Sequence, residues 1–84
     1  MWKVAVAKSA LKQLAAFPAK DQTRIAVAIQ AMATDPFSGD TLKLAGAGNM
    51  WRRRVGNYRV FFSIDIAAKS LSISAILRRT STTY

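Results

Sequence analysis

The 84-residue chain has no cysteine, no histidine and no glutamate. Without cysteine there is neither a disulfide framework nor a thiolate metal site, and a reducing compartment suits it. Without histidine it lacks both the commonest metal ligand and the commonest general base. The only acids are Asp21, Asp35, Asp40 and Asp65, with no neighbouring pair among them. Nothing therefore suggests a metal cage or the twin carboxylates of a glycosidase. No apolar run approaches the roughly 18 residues of a membrane span. The opening MWKVAVAKSA is too short, and too interrupted by lysine, for a signal peptide. The expectation is a cytoplasmic protein with no metal, no cofactor and no membrane partner.

What the chain has is apolar residues and positive charge. A hydrophobic fraction of 51% supports a folded protein, and the length supports one domain over residues 1–84 with a modest core. Thirteen basic residues against four acidic ones give a net charge of +9. The excess is uneven. Residues 1–42 hold five basic and three acidic residues, whereas residues 43–84 hold eight basic and one acidic. A polyanion would bind the second half.

The densest stretch is MWRRRVGNYR, Met50–Arg59, with four arginines and two aromatics. At a strand's period of two, Trp51 and Val55 share one face and Arg52 and Arg54 the other. Gly56-Asn57 is a hairpin turn, after which Tyr58, Val60, Phe62 and Ile64 oppose Arg59, Phe61, Ser63 and Asp65. One hairpin thus offers an apolar face to a core and a cationic face to something outside.

Earlier in the chain, Trp2–Ala7 alternates as a first strand. Ser9 is placed to cap a short helix with Leu11, Leu14 and Ala15 as its apolar stripe. Phe17-Pro18 stops that helix, and Pro18 opens a second one reaching about Thr34. Ile25, Ile29 and Met32, with Ala28, form its buried face, and Asp35-Pro36 ends it. Phe37–Gly48 reads as a loop, too open in its glycine spacing to cradle phosphate. After the hairpin, Ile66–Lys69 turns and Ser70–Leu77 alternates as a last strand.

The order is β-α-α-β-β-β, an α+β fold with a small antiparallel-rich sheet and two helices packed on one face. The other face is left to solvent or a ligand. Parity puts Val60, Phe62, Leu71, Ile73 and Leu77 on the helix side. It puts Arg52, Arg54, Arg59 and Arg78 on the open side. Arg53 departs from this scheme, standing with Trp51 and Val55, and Trp51 reads as a core residue.

The two-helix first half, the LKLAG segment, and the stretches WRRRV, YRVFFSID and RRTSTTY resemble the RelE/ParE superfamily of bacterial and archaeal toxins, in particular its RelE branch. The resemblance covers nearly the whole chain. It implies a ribosome-dependent endoribonuclease that cleaves mRNA in the decoding site and is held inactive by an antitoxin. Ribosome, mRNA and a cognate antitoxin would be the partners.

By the same resemblance the catalytic surface comprises Arg52, Arg54, Arg59, Arg78 and Tyr84. Lys43, Arg53, Phe61 and Arg79 are the added RNA-binding candidates. The chain departs from the pattern in having arginine for the lysine pair common on the second strand of that branch. Arginine keeps its proton to a pKa above about 12, so it is a poor base and a good clamp for phosphorane charge. Tyr84 is then the proton-transfer candidate. A ParE-like gyrase inhibitor and a non-catalytic RNA-binding module are the alternative function classes.

Overall fold

The computed structural model describes residues 1–46 and 48–79. In chain order the elements are Lys3–Val6 (β1), Lys8–Ala15 (α1), Ala19–Thr34 (α2), Asp40–Lys43 (β2), Trp51–Val55 (β3), Tyr58–Asp65 (β4) and Ser70–Arg78 (β5). The strands form one mixed sheet in the order β1-β5-β4-β3-β2. Only β1 runs parallel to its neighbour; the other pairings are antiparallel. The α+β architecture expected from the sequence is present, with one strand more than expected.

That strand is β2. The sequence pattern gives a loop over Asp40–Lys43, because four residues with a single apolar side chain carry no visible alternation. Its register with β3 makes it the edge of the sheet, Asp40 opposite Arg54 and Leu42 opposite Arg52. An edge strand buries one side of its backbone only, so it needs little hydrophobic signal to exist.

The core lies between the helices and one face of the sheet. Ala10, Ile25 and Met32 from the helices meet Tyr58, Val60, Phe62, Ile64, Leu71, Ile73 and Ile76 from β4 and β5. Burying each large aliphatic or aromatic side chain of this kind contributes about 1.5–3 kcal/mol. On α2 the buried residues are Ile25, Ala28 and Met32, the spacing of a single helical face. Helix α1 differs from its expected form. Its buried residue is Ala10, while Leu11 is 51% exposed. Ser9 makes no cap, because its hydroxyl donates to the Ser74 carbonyl of β5.

A β-bulge in β5 changes the placement of its C-terminal half. Phe61 pairs with Ala75 but Phe62 pairs with Ile73, so Ser74 is the extra residue. Beyond it the parity flips. Ile76 is fully buried and Leu77 is 44% exposed, the reverse of the expected assignment. Helix α1 supports the altered strand: the Ile76 N–H donates to the Gln13 side-chain oxygen at 2.8 Å. Strand β1 pairs with β5 only as far as Ile73, so this N–H lies past the end of β1 and takes a helix side chain as its partner.

Candidate functional site

The register of the sheet lays out the uncovered face in rows. Asp40, Arg54, Arg59 and Leu77 stand side by side across four strands, and Leu42, Arg52, Phe61 and Ala75 form the next row. Further along come Ser63 and Ser72 beside Ala5, then Asp65 and Ser70 beside Lys3. The face is therefore polarised along its strands. Its hairpin end is cationic and its far end is small and polar.

Two features of the cationic end are unfavourable for the isolated protein. Arg54 and Arg59 are directly opposite, a like-charge pair that weakens a sheet. In addition, the Nε of Arg59 is buried without a hydrogen-bond partner. A buried donor left unmade costs on the order of 1–3 kcal/mol, more when charged. The acid in this region is Asp40, whose carboxylate stands 3.5 Å from Arg52 Nη1. That is a long contact on an exposed carboxylate and offsets little charge. Phe61 lies half-buried among these arginines, directly opposite Arg52.

The bulge moves one predicted site residue off this face. Arg78 pairs with Tyr58, which is buried in the core, so Arg78 stands on the helix side rather than beside Arg59. The pairing continues one step further, as the Arg79 N–H donates to the Asn57 carbonyl at 2.6 Å. Alternation from Leu77, the partner of Arg59, then puts Arg79 on the cationic face. Arg53 follows its own parity: its Nη1 donates to Ser38 Oγ at 2.9 Å on the helix side. Its guanidinium sits where a Cβ on Gly39 would approach to 2.8 Å, so Gly39 is needed for this contact. Lys43 pairs with Trp51 and shares that side, exposed at the sheet's edge. Tyr84 lies outside the described residues.

Behind the cationic end is a pair that sequence reasoning misses. Tyr58 Oη donates to Asp21 Oδ2 at 2.7 Å, and the Tyr58 ring packs on Phe17 with centroids 4.4 Å apart. The hydrogen bond to Asp21 raises the tyrosine's pKa, reinforced by burial and by the carboxylate's charge, while Arg78 opposes the shift. In the sequence Tyr58 is only one more apolar residue in an alternating strand. The signal available for its partner is Asp21 in the first turn of a helix, where a carboxylate also suits the helix dipole. Among the described residues no three acidic side chains come together to hold a metal ion. No described helix is long and apolar enough to cross a membrane.

The fold recurs in known structures. The archaeal RelE–RelB complex of Pyrococcus horikoshii OT3 contains a chain 26% identical, with a TM-score of 0.84 over 96% of this chain and 98% of that one. The fold is that of the RelE-type toxin superfamily. The RelB–RelE antitoxin–toxin complex of Methanococcus jannaschii is 25% identical, with a TM-score of 0.74 over 88% of both chains. The isolated E. coli RelE toxin is 11% identical, with a TM-score of 0.83 over 98% of this chain and 88% of that one, and carries the likeness in fold alone. No family model and no curated protein matches the sequence.

Proposed function

We propose that residues 1–84 form a single RelE-like domain, the toxin of a type II toxin–antitoxin pair, and that it cleaves mRNA on the ribosome in the cytoplasm. The observation that carries this reading is the grouping of Arg52, Arg54 and Arg59 on a sheet face that the helices leave uncovered. Scattered solubilising charge has no reason to converge so. A phosphate backbone is the ligand such a face suits.

In the proposed reaction the ribose 2′-hydroxyl attacks the adjacent phosphorus. The P–O bond to the 5′-oxygen breaks, leaving a 2′,3′-cyclic phosphate and a 5′-hydroxyl. Arg59 and Arg54 stabilise charge on the phosphorane oxygens, and Arg52 and Arg79 hold flanking phosphates. Phe61 offers a ring on which a base stacks. One proton leaves the 2′-hydroxyl and one reaches the leaving oxygen; Tyr84 is the side chain assigned to this transfer. Arg78 takes no part at the scissile phosphate, since it stands behind the sheet. An acidic antitoxin is the inhibitory partner, a reading supported by the net charge of +9 and by the RelB complexes of the two archaeal relatives.

Purified ribosomes programmed with mRNA test this directly, with primer extension to map cleavage and a gyrase supercoiling assay in parallel. The expected result is ribosome-dependent cleavage within the reading frame and unaltered supercoiling. Gyrase inhibition without cleavage would replace this reading by a ParE-like one. Inactivity in both assays would leave a binding module.

A further inference from the structure

The hairpin end of the sheet is cationic on both sides. On the uncovered face stand Arg54, Arg59 and Arg79. On the helix side Arg78 stands opposite Tyr58, and Arg24 of α2 reaches the turn itself. The Arg24 guanidinium lies 3.1 Å from where a Cβ on Gly56 would be, so it packs over the backbone of the turn. Gly56 serves twice here. Its φ of +58° makes the two-residue turn, and its missing side chain admits Arg24.

The helix-side arginines have no acid within ion-pair distance among the described residues; the one such pair there is Arg52–Asp40. Asp21, in the first turn of α2, accepts a hydrogen bond from the Tyr58 hydroxyl. Arg24 and Arg78 are both exposed. Two guanidinium groups are therefore brought to the back of the same hairpin whose front already gathers three.

We propose that the back of the hairpin, Arg24 with Arg78, is a second phosphate-binding site, and that a single-stranded RNA bound on the open face continues over the Gly56-Asn57 turn to reach it. The inference rests on the reading that the open face binds RNA. Continuity favours an RNA backbone over an acidic peptide, because the arginines follow one edge of the molecule from face to face and every nucleotide presents the same charge. The turn is narrow, two residues long, and the Arg24 guanidinium lies over it. An oligonucleotide short enough to lie on one face would not reach both sites.

The test measures binding of two fluorescent single-stranded RNAs, about 4 and about 15 nucleotides long, the range covered by single binding modules. The intact chain and the variants Arg24→Ala, Arg78→Ala and Arg54→Ala are compared over a salt series. Removing one phosphate-binding charge lowers the slope of log affinity against log salt by about 0.7 for single strands. The expected result is that Arg24→Ala and Arg78→Ala lower the slope for the long RNA only, while Arg54→Ala lowers it for both. Arg24→Lys and Arg78→Lys should restore most of the slope, which separates a charge contact from a folding defect.

If Arg54→Ala lowers the slope and the two helix-side variants do not, the second site is refuted and the open-face reading stands. Should no variant change the slope, both fall together. Polyglutamate serves as the competing ligand class. If its binding alone depends on Arg24 and Arg78, the site takes an acidic peptide and the RNA assignment is overturned.

Discussion

At the scale of single residues, Arg59 and Tyr58 are chain neighbours with opposite fates. Arg59 faces the uncovered side with a buried, unpartnered Nε. If its charge is aimed at the phosphorane, Arg59→Ala should slow single-turnover cleavage by roughly 100-fold or more and change ribosome binding little. Equal losses in rate and affinity would instead make it an ordinary phosphate contact. Tyr58 faces the core, and its hydroxyl must be protonated to donate to Asp21. Because its folded-state pKa is raised above the ordinary 10.0, the hydrogen bond adds stability that is complete below that value. The contribution fades as pH rises through the raised pKa. Urea midpoints followed from neutral to strongly alkaline pH should fall more steeply for the natural chain than for Tyr58→Phe. Parallel curves would mean that the Tyr58–Asp21 bond does not govern alkaline stability.

At the scale of elements, β4 and β5 show what a sequence reveals about a sheet and what it hides. Strand β4 alternates without interruption from Tyr58 to Ile64, and its burial follows that alternation residue by residue. The same rule fails in β5 because SLSIS alternates and AIL does not. Three apolar residues in a row fit either parity, and that ambiguity is the only sign of the bulge at Ser74. Its effect reaches the candidate site, moving Arg78 behind the sheet and leaving Arg79 with Arg59. Strand β2 is hidden for a different reason, since its partner is the backbone of β3 and its side chains bury little. The bulge makes a sharp prediction. Ile76→Ala should destabilise the fold by about 2–5 kcal/mol, whereas Leu77→Ala, on a half-exposed side chain, should cost under about 1 kcal/mol. Chemical denaturation of the two variants decides it, and the reverse order would mean that β5 runs unbulged.

At the scale of the whole molecule, charge opposes the compact state. A net charge of +9 on 84 residues repels itself, and the opposed Arg54 and Arg59 concentrate the effect at one end. Added salt screens such repulsion, with the Debye length falling from about 10 Å at 0.1 M to about 3 Å at 1 M. The thermal midpoint should therefore rise over that range, and an acidic partner should raise it further by binding only the folded form. A midpoint that falls with salt would point to ion pairs as net stabilisers.

The order of the strands also dictates a schedule. Strand β1 touches the sheet only through β5, and among the described elements β1 is made first and β5 last. The earliest strand is thus the one that waits longest for its place. While β5 is still sheathed inside the ribosome that makes it, β1 has no neighbour and Ile73 and Ile76 are missing from the core. The cationic face is incomplete as well, for Arg79 follows β5. Nascent chains arrested with β5 in the exit tunnel should be cut readily by protease, and released chains should resist it. Protection while β5 is still in the tunnel would show that β1 and the helices assemble without it. The topology thus acts as a delay, since the sheet and its cationic face are complete only once β5 has emerged.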